Sequence, residues 1–119
     1  VLVAGEDDAF LETLCREMEW GPSVEIVGHA HSLIEARALA ERFAPDVVLL
    51  DLEAPGIGGA AAIHQMKTHP GTPIVLVLTS QDTPLARTES FAAGADGFVT
   101  KSDPKEKLRS LIAKIRPYL

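Results

Sequence analysis

Asp51 closes an unbroken apolar run, Val47-Val48-Leu49-Leu50, and polar residues close three similar runs. Gly5, Glu6, Asp7 and Asp8 follow Val1-Leu2-Val3-Ala4. Thr79 and Ser80 follow Ile74-Val75-Leu76-Val77-Leu78, and Thr100 and Lys101 follow Phe98-Val99. Carboxylates arriving from two strand ends repel each other unless a cation lies between them. Hard oxygen ligands with room for water suit Mg²⁺. A carboxylate is also a nucleophile toward phosphorus, and a metal beside it would neutralise and orient an incoming phosphoryl group. Thr79 offers a hydroxyl donor and Lys101 a mobile cation to the oxygens of the product. Taken singly, each residue has a plainer reading: the Asp as a turn residue, the Thr as a helix cap, the Lys as a solvated side chain. Their arrival at successive strand ends is the signal.

The elements that would position them alternate along the chain. Val1 to Ala4 reads as a buried strand, and Phe10, Leu11, Leu14, Cys15 and Met18 follow helical spacing. Val24 and Ile26, running to Gly28, predict a second strand. Leu33, Ala36, Ala40 and Phe43 predict a helix ending before Pro45. Val47 to Leu50 and Ile74 to Leu78 are continuous and apolar, as parallel strands covered on both faces should be. A short helix is predicted over Ala60 to Lys67, another over Leu85 to Ala93 closed by Gly94, and a fifth strand at Phe98-Val99. Asp103-Pro104 opens the last helix, with Leu108, Leu111, Ile112 and Ile115 as its stripe. Five strands alternating with five helices predict a doubly wound parallel α/β sheet, a single domain over residues 1–119. Sites in such sheets lie at the carboxyl ends of the strands.

Composition narrows the function classes. Hydrophobic residues are 46% and charged residues 24%, which fits an ordinary globular core and argues against disorder. A net charge of −6 argues against direct nucleic-acid binding. No apolar run approaches the roughly 20 residues of a membrane span, and no signal peptide is visible. The lone Cys15 reads as a small core residue in a cytoplasmic setting. His29 and His31 are placed to meet at a strand end, but two ligands do not make a zinc site. Trp20 reads as a loop anchor. Gly56-Ile57-Gly58-Gly59-Ala60-Ala61 has the letters of a dinucleotide fingerprint, yet Asp51 and Glu53 precede it and would repel a pyrophosphate, so a flexible turn is expected.

Almost the whole chain resembles the receiver domain of two-component response regulators. The resemblance is carried by Val1 to Asp7, by Pro45-Asp46 through Asp51-Leu52, by Pro55-Gly56 and Gly59, and by Pro73 through Thr79-Ser80. Its most specific part is Gly94-Ala95-Asp96-Gly97-Phe98-Val99-Thr100-Lys101, in the style of NarL/LuxR-type receivers. The resemblance implies a flavodoxin-like (CheY-like) fold with a phosphorylatable Asp51. It implies Mg²⁺ held by Glu6, with Asp7 as a substitute, by Asp51 and by the backbone carbonyl of Glu53. It implies that Thr79 bonds the phosphoryl group and moves with it, that Ser80 flanks the entrance and that Lys101 pairs with a phosphoryl oxygen. Phe98 would take the aromatic switch position and turn inward on activation. The implied partners are a sensor histidine kinase, a second copy of the chain, and a DNA-binding output domain outside this chain. The readout face would be the fourth helix, fifth strand and fifth helix, residues about 84–116.

The chain departs from the family pattern at four places. Gly5 stands where the first acid of a pair belongs, and Glu6 where Asp is usual, leaving one carboxylate fewer for metal. An atypical receiver with weak Mg²⁺ binding, working as a phosphorylation-independent interaction module, is therefore the alternative. Ser102 follows Lys101 where Pro is common, so a trans bond is expected. Ala54 replaces a larger Met and predicts a less packed loop. Phe98 has no hydroxyl, so a switch there would act by packing. The enzyme-class competitor is a haloacid-dehalogenase-type phosphatase, disfavoured because the acidic cluster precedes Asp51 and only one helix follows Lys101.

Overall fold

Parallel pairing of short apolar strands organises the chain. The computed structural model describes residues 1–5, 11, 13–14, 16, 26–68, 73–102 and 104–115. The strands are β1 (Leu2–Ala4), β2 (Gly28–Ala30), β3 (Val47–Asp51), β4 (Ile74–Thr79) and β5 (Gly97–Thr100). They form one sheet in the order β2-β1-β3-β4-β5, with every pair parallel. The order reverses between β1 and β3, so a crevice opens where Ala4 and Leu50 pair and their chains leave the sheet.

Four continuous helices are described: α1 (Leu33–Phe43), α2 (Ala60–Lys67), α3 (Pro84–Ala92) and α4 (Pro104–Ile115). Leu11, Thr13, Leu14 and Arg16 are helical within the stretch predicted as the first helix, and Leu11 and Leu14 are buried. Phe10, Cys15, Met18, Trp20, His69 and the Asp103 cap lie outside the described residues.

The helices sit on both faces because the strands are apolar on both. Along β3, Val48 and Leu50 join one core with Ala36, Ala62, Ile63 and Met66. Val47 and Leu49 join a second core with Leu11, Leu14, Leu108 and Ile112. Side chains alternate across a strand. Thus α1, α2 and α3 cover one face, while the first helical stretch and α4 cover the other.

The ends of the helices follow local chemistry. Ser32 caps α1 by accepting from the Glu35 amide at 3.1 Å. Thr83 caps α3 by accepting from the Ala86 amide at 3.1 Å, with Pro84 in the first turn. Thr83→Ala should lower stability by about 1 kcal/mol, read as a lower thermal midpoint. Below the sheet, Asp96 accepts from the Val75 amide at 2.8 Å and from Lys67 at 2.9 Å, tying α2 to the starts of β4 and β5.

Two expectations are corrected. The second strand is Gly28–Ala30, later than Val24 to Gly28: Ile26 lies outside it and is 38% exposed, and Val24 is outside the described residues. Backbone pairing decides this edge strand, with Leu2 opposite Gly28 and Ala4 opposite Ala30. The loop after β3 is also well packed. Ala54 and Ile57 are both buried in the core on the α2 side.

Candidate functional site

Asp51 is the last residue of β3 and keeps that strand's alternation, so it stands on the same side of the sheet as Leu49 and Leu11. Its side chain is only 3% exposed. One carboxylate oxygen accepts from the Glu53 amide at 3.0 Å. The other lies 3.0 Å from the Lys101 ammonium. Lys101 reaches this far because its backbone amide continues the β4–β5 pairing, donating to the Thr79 carbonyl at 2.9 Å. Its side chain then spans the end of β4 to β3. The Lys101–Ser102 peptide is trans, as expected.

Thr79 closes β4 and is buried, and its hydroxyl oxygen accepts from the Gln81 amide at 3.1 Å. By the same alternation it stands on the opposite side of the sheet from Asp51, the side of Val75 and Val77. Phe98 is on that side too, opposite Val77 in register, and so lies diagonally across from Thr79. The Phe98 ring is turned inward and is 2% exposed. The Arg87 guanidinium lies 4.9 Å from the ring centroid, held by an ion pair with Asp82 at 2.7 Å. This hydrogen-bonded pairing raises the Arg87 pKa and lowers that of Asp82.

Glu53 was expected to contribute only its carbonyl, yet its side chain also takes part in the site. Its carboxylate accepts from both the Ser80 amide and the Ser80 hydroxyl, the latter at 2.5 Å, and lies 3.8 Å from the Lys101 ammonium. The Ser80 hydroxyl leads, joined by the Ser80 amide, Lys101 and the Thr79 hydroxyl, in holding this carboxyl below the usual carboxylate range, against a desolvation that pushes it up. These contacts therefore stabilise the fold at pH values above the ordinary carboxylate range. They fade as the pH falls through the lowered value. An acid two residues after Asp51, facing a hydroxyl residue after β4, was the available sequence signal. Arg87 over Phe98 had none.

Gly5 is more than a missing acid. A Cβ there would lie 2.8 Å from Leu11 Cδ1 and 2.9 Å from Asp51 Cβ. The absent side chain is what lets β1 and β3 close against the first helical stretch. Gly5→Ala should cost roughly 1–3 kcal/mol in a thermal or urea melt, as overpacking does. Glu6 and Asp7 lie outside the described residues. Among the described residues no three His, Cys, Asp or Glu side chains group as a metal site. His29 and His31 do meet, with stacked rings 4.7 Å apart, and His29 Nε2 lies 3.2 Å from the Gly5 carbonyl oxygen. The glycine run forms a turn: Gly58 and Gly59 have positive φ, and Gly59 precedes α2.

The profile of the response regulator receiver domain matches residues 1–113. The chain belongs to the response regulator receiver domain family. Among curated relatives, the response regulator GacA of Pseudomonas syringae pv. syringae is 35% identical over 102 residues, spanning 85% of this chain and 47% of the relative. The response regulator MprA of Mycobacterium avium is 31% identical, spanning 98% of this chain and 52% of the relative. This receiver thus spans about half the length of the curated relatives it matches. A LuxR-family two-component response regulator from Aurantimonas superposes with a TM-score of 0.85 at 30% identity, over 96% of this chain and 81% of that one. The receiver domain of a DNA-binding response regulator from Colwellia psychrerythraea gives 0.86 at 27% identity, over 98% and 96%. The family sets aside the phosphatase reading: this receiver is a signalling domain. No helix among the described residues is long and apolar enough to cross a membrane.

Proposed function

We propose that residues 1–119 act as one receiver domain in which Asp51 takes a phosphoryl group from the phospho-histidine of a sensor histidine kinase. The observation that carries this reading is the buried Asp51 carboxylate facing the Lys101 ammonium at 3.0 Å, at the sheet's switch point. An Asp51 oxygen bonds to phosphorus as the P–N bond breaks. The bonding pair leaves with the imidazole nitrogen, which takes a proton from water. Lys101 then pairs with a phosphoryl oxygen.

The donor set fits Mg²⁺ in chemistry: the Asp51 carboxylate, the Glu53 backbone carbonyl and an acid of the first loop, Glu6 or Asp7, are all hard oxygens. When bound, Mg²⁺ would neutralise charge on the phosphoryl group. At most the domain itself would catalyse its own phosphorylation from small donors and its own dephosphorylation.

The Thr79 hydroxyl would bond the phosphoryl group, and its movement would be felt by Phe98 on the same side of the sheet, biasing an existing two-state equilibrium. The face formed by α3, β5 and α4 would carry the readout to an output domain outside this chain, a DNA-binding one as described for the Colwellia relative. It would also serve pairing with a second copy; Leu85 and Phe91 of α3 are exposed on the surface. Such a transcription-regulating module would work in the cytoplasm.

The test is intact-mass measurement after incubation with a small phosphodonor and Mg²⁺. One base-labile phosphoryl group is expected. No adduct at saturating donor and metal would sink the proposal.

A further inference from the structure

We propose that the Glu53 carboxylate is a built-in stand-in for the phosphoryl group, occupying its donors until it is displaced. This rests on the phosphate-acceptor reading of Asp51 and adds a regulatory role for a side chain of that same site. Three donors converge on the Glu53 carboxylate: the Ser80 amide, the Ser80 hydroxyl and, more distantly, the Lys101 ammonium. Together they are an anion cradle. Lys101 is shared between this cradle and Asp51, 3.0 Å from one carboxylate and 3.8 Å from the other. A phosphoryl group on Asp51 would therefore seek donors that Glu53 already holds. Two anions cannot share them without strong like-charge repulsion.

The geometry also supplies a way out. The Glu53 amide donates a hydrogen bond to the Asp51 carboxylate at 3.0 Å, which holds the Glu53 backbone, so only side-chain torsions need change. A groove of about 450 Å³, lined by Glu53, Thr79, Gln81, Ala86 and Glu89, opens beside it; the Glu89 carboxylate there keeps a displaced Glu53 toward the open, solvated side. Glu53 is thus a positioning residue. It orders Ser80 and Lys101 in the resting state and sets how readily an anion replaces it.

The test compares wild type with Glu53→Ala and Glu53→Asp in the full chain. Asp keeps the charge but is one methylene too short to hold Ser80. Two readings are taken: the rate of adduct formation from phosphoramidate with Mg²⁺, and sulfate affinity followed through the Ser80 amide resonance. Releasing charge-assisted bonds should raise both by about fivefold or more in Glu53→Ala, and by a smaller factor in Glu53→Asp. A wild-type adduct with no gain in either variant overturns the stand-in and leaves the acceptor reading intact. No adduct in any protein sinks the acceptor reading, and the sulfate titration still decides: tighter binding in both variants supports the cradle, unchanged binding overturns it. A gain in Glu53→Ala alone would also overturn it, since charge by itself would then suffice.

Discussion

Asp51→Asn should yield no phosphate adduct at donor and Mg²⁺ concentrations that saturate the wild type. The amide is not a nucleophile toward phosphorus, so the loss is complete rather than partial. Asn is close to isosteric with Asp, and its carbonyl oxygen can still accept from the Glu53 amide, as the carboxylate does at 3.0 Å. The variant should therefore stay folded. What it gives up is the contact with Lys101, a charge pair at 3.0 Å whose acid is nearly inaccessible. Lys101→Ala would behave differently: it keeps the nucleophile, so it should slow the adduct without abolishing it, while leaving a buried carboxylate without its cation. Intact mass with peptide mapping checks both. An adduct of undiminished yield in Asp51→Asn would place the acceptor elsewhere.

Leu49→Ala and Leu50→Ala should each destabilise the fold by about 2–5 kcal/mol, the cost of emptying a well-packed aliphatic site. That is a large share of the roughly 5–15 kcal/mol available to a domain. The two are consecutive residues of β3, and each is 1% exposed or less. Leu50 packs toward Ala62, Ile63 and Met66, Leu49 toward Leu11, Leu108 and Ile112. A sheet covered on one face only would show one large and one small effect. Equal urea-denaturation penalties at neighbouring positions would report cover on both sides, and their sum in the double variant should unfold the chain outright.

Most of this architecture can be read from the chain because its central strands leave no alternatives. Val47 to Leu50 and Val75 to Leu78 are apolar at every position, as a strand buried on both faces requires, and their short length and β-branched residues favour strand over helix. Asp51, Thr79 and Lys101 were legible for the same reason: each interrupts such a run where the sheet ends. β2 was misplaced because an edge strand of Gly28, His29 and Ala30 has no apolar run, and its register comes from pairing with β1. The Glu53 side chain was missed because a loop carboxylate has many rotamers, and the one adopted depends on the neighbouring loop carrying Ser80. Gly5 was legible as a lost acid but not as a packing necessity. The atoms that a Cβ would strike belong to Leu11 and Asp51, which pattern alone does not bring to one point.

The sheet is also a partition. Asp51, Lys101 and the Gly5 seat stand toward one side of it, and Thr79 and Phe98 toward the other, separated by the thickness of a single strand layer. In the proposed function the acid to be modified and the aromatic residue that senses it lie toward different walls of the molecule, while the proposed readout face, with α3 on one wall and α4 on the other, spans both. Under that proposal the short rim where the strands end, which carries Thr79, joins the two.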